Sequence, residues 1–254
     1  MTSSKGTVLV TGAARRIGKA IALDLATHGY GIAIHANSSG EEAEAVAGTI
    51  RNAGGVAEVF LADLIDMKAV RGLHQEVSER IGTPDIIVNN ASVFEADEVR
   101  EFNEELFDRH FSVHVKAPAV LAEAMAAGLA KDGEGLIVNI IDQRVWKLTP
   151  RFFSYTLSKT ALWTATQTMA QALAPRIRVN AIGPGPTLAN ERQKDSDFAR
   201  QAAAVPLERG PELAEFGATI RYLHGAHSVT GQMIALDGGQ HLAWETPDVT
   251  GVGE

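Results

Sequence analysis

Seven short apolar runs, separated by longer amphipathic stretches, limit this chain to very few folds. They cover residues 7–11, 31–35, 56–61, 85–90, 136–141, 177–182 and 232–236. Each of the first six leads into a helical stretch, or into a loop that opens one. Strands made almost wholly of Val, Ile and Leu imply a sheet buried on both faces. Alternation of strand and helix implies an α/β fold with a parallel, doubly wound, seven-stranded sheet and helices on both faces. The 254 residues suffice for one such domain, 1–254. A chain of this length buries roughly 70–75% of the surface it exposes when unfolded.

Charge and composition narrow the partners. Lys and Arg number 23 against 31 Asp and Glu, a formal charge of -8. An acidic chain without a clustered basic tract is not expected to bind nucleic acid or an anionic membrane. No run of 18 or more apolar residues is present, so no membrane span is expected. The first apolar run begins at once, which leaves no room for a signal peptide. Cysteine is absent, which excludes disulfides, thiolate catalysis and cysteine metal sites and fits a cytoplasmic protein. No metal site is expected. The partner expected is a small molecule.

The turn after the first run reads Thr11-Gly12-Ala13-Ala14-Arg15-Arg16-Ile17-Gly18. Gly12 permits a tight turn, and Gly18 lets a helix approach the strand closely. The helix that starts there offers free N–H groups and a partial positive charge to a diphosphate. This is the Rossmann-type arrangement. Acceptance of NAD usually involves an acid at the end of the second strand, for the ribose 2′-hydroxyl. Here that strand ends His35-Ala36-Asn37-Ser38-Ser39, and Glu41 and Glu42 fall later, where the next helix would open. Arg15 and Arg16 lie beside the loop, and a guanidinium binds a phosphate through paired, charge-assisted hydrogen bonds. NADPH is therefore the cofactor expected. Arg15 is the first candidate for the 2′-phosphate, with His35, Asn37 and Ser38 as further phosphate or ribose contacts.

Tyr155 and Lys159 stand four apart in a segment expected to open a helix, so both project from one face. A free phenol has a pKa of about 10. A nearby ammonium favours the phenolate, and it is expected to bring Tyr155 toward the range of a proton donor for a polarised double bond. Alone, the pair is a weak signal.

Together these parts resemble the short-chain dehydrogenase/reductase family, over residues 5–244. The resemblance rests on Thr11-Gly12-x-x-x-x-Ile17-Gly18, Ala62-Asp63-Leu64, Asn89-Asn90-Ala91, Tyr155-x-x-x-Lys159, Arg178-Val179-Asn180 with Pro184-Gly185, and Asp237-Gly238-Gly239. It implies that Asp63 and Leu64 contact the adenine, and that Asn89 and Ala91 border the adenosine ribose. Tyr155 and Lys159 would hold the nicotinamide ribose, with Tyr155 giving the proton. Pro184 and Gly185 would shape the carboxamide end. A threonine common in the family has Ala189 in its place, and Thr187 is the candidate to replace it.

Three departures from the family pattern are informative. Arg16 stands where a glycine is usual, Asp142 where a serine is usual thirteen residues before the tyrosine, and His114 where an asparagine is usual. Gly-Ala-Ala-Arg-Arg-Ile-Gly, the run Asn89-Asn90-Ala91-Ser92-Val93-Phe94 and the aspartate resemble pteridine reductases. His114 and the run 236–242 look closer to the bacterial dihydromonapterin/dihydrofolate reductases of that branch. A carboxylate only accepts hydrogen bonds, which suits the N–H donors of a pterin and would repel the oxyanion of a ketone. The activity implied is NADPH-dependent reduction of a C=N bond in a dihydropterin or dihydrofolate-like substrate. The alternative is reduction of a ketone or 3-oxoacyl carbonyl. Tyr155, Lys159, Asp142 and His114 are the catalytic candidates, with His114 holding a water that links Lys159 to solvent. Phe94 would stack on the pterin, Ser92 would bond its ring or the cofactor phosphates, and Arg15 could reach the pyrophosphate or the pterin edge.

The segment 183–210 is expected to be a substrate-covering loop, with Glu191, Arg192, Lys194, Asp195, Asp197 and Arg200 among its charges. The helix expected over 103–131 and the tyrosine helix resemble the elements that assemble tetrameric relatives, so a homotetramer is expected.

Overall fold

The structure, a computed structural model, describes residues 5–189 and 195–244. Glu191, Arg192, Lys194 and the tail after Trp244 lie outside the described residues. Seven strands form one sheet: β1 Thr7–Val10, β2 Gly31–Ala36, β3 Ala57–Leu61, β4 Pro84–Asn89, β5 Gly135–Ile140, β6 Ile177–Pro184 and β7 Met233–Leu236. Their order is β3-β2-β1-β4-β5-β6-β7, and every pairing is parallel. This is the doubly wound, Rossmann-type sheet.

Side chains on a strand alternate between faces, and β1 shows it directly. Val8 and Val10 join a core with Ile21 and Leu25 of α1 (Arg16–Thr27), Val46 of α2 (Gly40–Asn52) and Phe216 of the Leu213–Gly225 helix. Leu9, between them, joins the opposite core with Val70 of α3 (Met67–Ile81) and Leu121 and Met125 of the Ala117–Gly128 helix. Burying one such side chain contributes about 1.5–3 kcal/mol, so the sheet is held from both faces.

Residues 103–131 are not one uninterrupted α-helix. α4 (Glu104–Phe111) runs into a π-helical turn, Ser112–Lys116, and then into α5 (Ala117–Gly128). The wide turn carries His114. α6 (Phe153–Leu173) carries the tyrosine and lysine. The segment 183–210 also departs from expectation. β6 extends to Pro184, and α7 (Asp195–Ala203) lies inside the supposed loop. Its three alanines, Arg200 and Gln201 are good helix formers, and the prolines flank the helix rather than interrupt it. α8 (Leu213–Gly225) then packs against α1, where Arg221 of α8 bonds to Asp24 of α1 at 2.9 Å.

Strand order reverses between β1 and β4. In such sheets ligands bind outside the carboxyl ends of the strands at that switch point. The Gly12 loop, Asn89–Ala91, Asp142 and Pro184–Gly185 all lie at or just beyond the carboxyl ends of β1, β4, β5 and β6, and so collect on one edge.

Candidate active site

The loop after β1 is braced from three sides. Thr11 Oγ1 accepts the N–H groups of Asn90 (2.9 Å) and Ala91 (3.0 Å). Asn90 Nδ2 donates back to Thr11 O and Gly12 O. Gly12 has φ +63, and a Cβ there would lie 2.9 Å from Ala91 Cα. A Cβ at Gly18 would lie 2.3 Å from Gly12 O. Ile17 packs against the core. α1 has no side-chain cap and no acid in its first turn, so its leading N–H groups are left to an anion. A diphosphate fits this backbone cradle.

His35 does not sit where a phosphate contact would need it. Its ring is buried at the end of β2. Nδ1 accepts the N–H of Gly12 (3.2 Å), so Nε2 carries the proton and donates to Ala62 O (3.0 Å). Burial pushes its pKa down, which keeps the ring neutral. It supports the loop from behind. Asn37 and Ser38 are exposed just beyond β2. The two arginines have protein partners: Arg15 forms an ion pair with Glu42 of α2, and Arg16 donates to Ala189 O (2.8 Å) and Leu188 O (3.1 Å). Arg16 takes φ +52, the left-handed region in which a glycine would be unstrained.

Along the expected adenosine side, Asp63 Oδ1 accepts the N–H of Ile65 (2.9 Å) and Leu64 is buried in the second core. Asn89 Nδ2 donates to Asn139 Oδ1, and Asn139 Nδ2 donates to Thr166 Oγ1. This polar chain ties β4, β5 and α6 together. Gly185 N donates to Leu236 O, and Thr187 Oγ1 donates back to Gly185 O.

The reactive groups lie beyond β5. Asp142 caps a short 3-10 turn, its Oδ1 accepting Arg144 N–H (2.9 Å). Its Oδ2 accepts the Tyr155 hydroxyl at 3.0 Å. Burial, the largest cause, raises the Asp142 carboxyl above its ordinary range. Tyr155 is pushed well above 10, by burial first and then by the Asp142 charge. The expectation that Lys159 would bring the phenol down is therefore corrected. Lys159 Nζ donates to Ile140 O at 2.8 Å and stands 5.8 Å from the Tyr155 ring centroid. Burial lowers its pKa to about 8.

His114 is bonded at both ring nitrogens. Val93 N–H can only donate, and it reaches Nε2 at 3.2 Å. Nδ1 therefore carries the proton and donates to Ser158 Oγ (2.8 Å), which donates to Tyr155 O. Ser92 Oγ lies 3.0 Å from the same Nε2. Burial holds the ring well below its usual pKa, so it is neutral with both nitrogens occupied. A cavity of about 10 Å³ lies between His114, Lys159, Asn89 and Thr11, room for about one water. The water expected between His114 and Lys159 has room there, and the imidazole, bonded at both nitrogens, braces Ser92, Val93 and Ser158 beside it.

Phe94 lies at the mouth. Its ring stacks on Phe152 (4.5 Å, 9°) and meets Tyr155 edge-on (4.8 Å, 77°). The Arg144 guanidinium covers both phenyl rings, at 5.5 Å and 4.8 Å. Three contributors were not singled out in the sequence: Asn90, Arg144 as a ring-stacking cation, and Phe152. Asn90 stood in a motif. Phe152 gave no signal, because its part depends on a backbone at φ +58.

The family model described as short chain dehydrogenase matches residues 6–199. Two solved structures are similar over nearly the whole chain. One is the FolM alternative dihydrofolate reductase 1 from Brucella canis complexed with NADP, 62% identical, covering 97% of this chain and 98% of that one, with a TM-score of 0.95. Its Brucella suis counterpart in complex with NADP is 62% identical with a TM-score of 0.94, covering 96% and 98%. The 3-oxoacyl-[acyl-carrier-protein] reductase FabG of Staphylococcus aureus is 29% identical over 92% of this chain and 97% of its own length.

Proposed function

The chain belongs to the short-chain dehydrogenase family, and from that premise we propose that it is an NADPH-dependent reductase of the C=N bond of a dihydropterin or dihydrofolate-like substrate. The observation that carries this reading is the hydrogen bond from Tyr155 to Asp142 beside the Phe94 ring. An acid at that point accepts the N–H donors of a pterin in either protonation state, and its charged form opposes the oxyanion that carbonyl reduction would develop. The similarity to NADP-bound dihydrofolate reductases supports the same substrate and cofactor.

NADPH, when bound, supplies the hydride. The N-terminus of α1 and the Gly12–Gly18 loop would hold its diphosphate, with Asp63, Leu64, Asn89 and Ala91 on the adenosine side. Lys159 and Tyr155 would hold the nicotinamide ribose, and Pro184, Gly185 and Thr187 the carboxamide end. Arg15, Asn37 and Ser38 border the place for a 2′-phosphate, and no carboxylate ends β2. Arg15 would have to exchange Glu42 for phosphate, an exposed pair that costs little to open. Arg16 holds residues 188–189, and His35 holds the loop.

Tyr155 gives its proton to the substrate nitrogen as the neighbouring carbon takes the hydride. The phenolate left behind is reprotonated through Asp142, whose buried carboxyl keeps a proton to higher pH than an exposed one. Lys159 places positive charge beneath the pair. Phe94 offers its ring to the pterin, with Ser92 at the edge. His114 positions Ser92, Val93 and Ser158. The same reading carries the expectation of a cytoplasmic protein of single-domain subunits assembled as a homotetramer, and sedimentation velocity tests the assembly. No helix among the described residues is long and apolar enough to cross a membrane.

The test is purified protein with NADPH, followed by absorbance against dihydrobiopterin, dihydromonapterin, dihydrofolate and a panel of ketones. Turnover of the pterins well above the ketones is expected, and turnover confined to ketones or 3-oxoacyl thioesters overturns the reading. Tyr155→Phe should lower kcat by at least about a hundredfold, the contribution typical of a general acid.

A further inference from the structure

A cleft of about 440 Å³ opens beside the reactive pair, within the range of small-molecule sites. Among the residues lining it are Gln143, Arg144, Lys147, Arg151, Phe152 and Gln240. Three of these are cations, and no Asp or Glu lines the cleft among the described residues. Such a cluster runs against a chain whose formal charge is -8.

The cleft borders the site already described. Gln143 and Arg144 directly follow Asp142, and Phe152 stacks on Phe94, which touches Tyr155. Arg144 lies over both phenyl rings, and its Nη1 is buried without a hydrogen-bond partner. Gln143 Oε1, an acceptor, is buried in the same condition. A buried donor without a partner is costly unless something fills its place. Lys147 donates to Ala243 O. Among the described residues, neither it, Arg144 nor Arg151 is in an ion pair. Guanidinium groups bind carboxylates in paired, charge-assisted geometry.

We propose that this cleft receives a carboxylate-bearing extension of the pterin, so that the preferred substrate is a dihydropterin with an anionic, glutamyl-type tail. The proposal rests on the dihydropterin reading above and adds to it a second point of recognition. The ring lies at Phe94 and Tyr155. The tail passes the Phe152 and Arg144 pair and ends near Lys147 and Arg151.

The experiment compares kcat/KM at saturating NADPH for dihydrofolate, whose tail ends in carboxylates, and dihydrobiopterin, whose side chain is uncharged. It is run on the wild-type protein, on Arg151→Gln and Lys147→Gln singly and together, and on the charge-keeping Arg151→Lys. The ratio of dihydrofolate to dihydrobiopterin should fall in the double variant by at least about tenfold, the contribution of one charge-assisted hydrogen bond. The loss should lie in KM for dihydrofolate, should be smaller in Arg151→Lys, and should be mimicked in wild type by added salt. If both substrates are reduced and the ratio stays fixed across variants and salt, the tail subsite is wrong while the ring chemistry stands. Reduction of dihydrobiopterin alone has the same meaning. If neither is reduced, the dihydropterin reading fails and takes the subsite with it.

Discussion

Tyr155 donates a hydrogen bond to Asp142, which weakens the carboxyl's hold on its proton while the Asp142 charge strengthens the phenol's. Burial raises both pKa values, and the Asp142 charge raises Tyr155 further. With reprotonation through Asp142, kcat should fall as pH climbs past the raised carboxyl pKa. Asp142→Asn should remove that step from the pH–rate profile and lower dihydropterin turnover by at least about tenfold. An unchanged profile would sink the relay. Lys159 makes the opposite kind of statement. Its folded pKa of about 8 lies below the ordinary 10.5, so at neutral pH folding buries a charge against its preference. Between those values the unfolded chain binds more protons, so this residue's contribution to stability improves as pH rises through the window. Lys159→Met should therefore unfold at higher temperature than wild type near pH 7, relative to the gap near pH 10, while losing activity. Denaturation at both pH values checks the sign. Spacing in the sequence was enough to pair Tyr155 with Lys159 and to mark Asp142. It could not reveal that burial outweighs the lysine charge, because desolvation depends on everything packed around the phenol.

Runs of Val, Ile and Leu made the seven strands legible with boundaries shifted by one or two residues, since burial on both faces leaves few other uses for them. The π-helical turn at Ser112–Lys116 was hidden, because one wider turn leaves the apolar pattern nearly unchanged. α7 was hidden by its flanking prolines, which signal a loop on either side of it. The Arg178-Val179-Asn180 motif identified a family but not its own physical task, which lies between elements. Arg178 of β6 donates to the carbonyls of Leu223 (2.6 Å), His224 (2.9 Å), Ala226 (3.1 Å) and Val229 (3.2 Å). It thus closes the C-terminal end of α8, whose last carbonyls have no partner within the helix. Asn180 accepts Gln232 N–H and donates to Val229 O, fixing the approach to β7. Arg178→Met keeps much of the volume and removes every one of the arginine's bonds. It should lower unfolding stability by about 2–3 kcal/mol, as for lost bonds to a charged group. NADPH affinity measured well below the transition should persist. Wild-type thermal stability in this variant would show that the α8 end is held by packing alone.

Parallel strands with right-handed crossovers place the loops after β1, β4, β5 and β6 on one edge, so the position of the site followed from the order of the motifs. The partners of its cations did not. Glu42 was legible as an opening residue of α2, yet nothing in the chain before folding brings it to Arg15, 27 residues away. In the proposed reading, that pair bears on how the protein separates NADPH from NADH. If Arg15 leaves Glu42 for the 2′-phosphate, each NADPH bound must first open an ion pair between side chains that are 57% and 45% exposed. Exposed pairs are weak and screened by salt, so the exchange is easy, but it is a cost that NADH does not incur and does not recover. Glu42→Gln removes the competitor and leaves Arg15 in place. NADPH should then bind a few-fold more tightly while NADH affinity stays the same, and the thermal shift at fixed NADPH should grow accordingly. Equal tightening of both cofactors would mean the glutamate acts only through its charge on the diphosphate. Weaker NADPH binding would mean that Glu42 holds Arg15 in the orientation that meets the phosphate, with the pair itself forming part of the cofactor site.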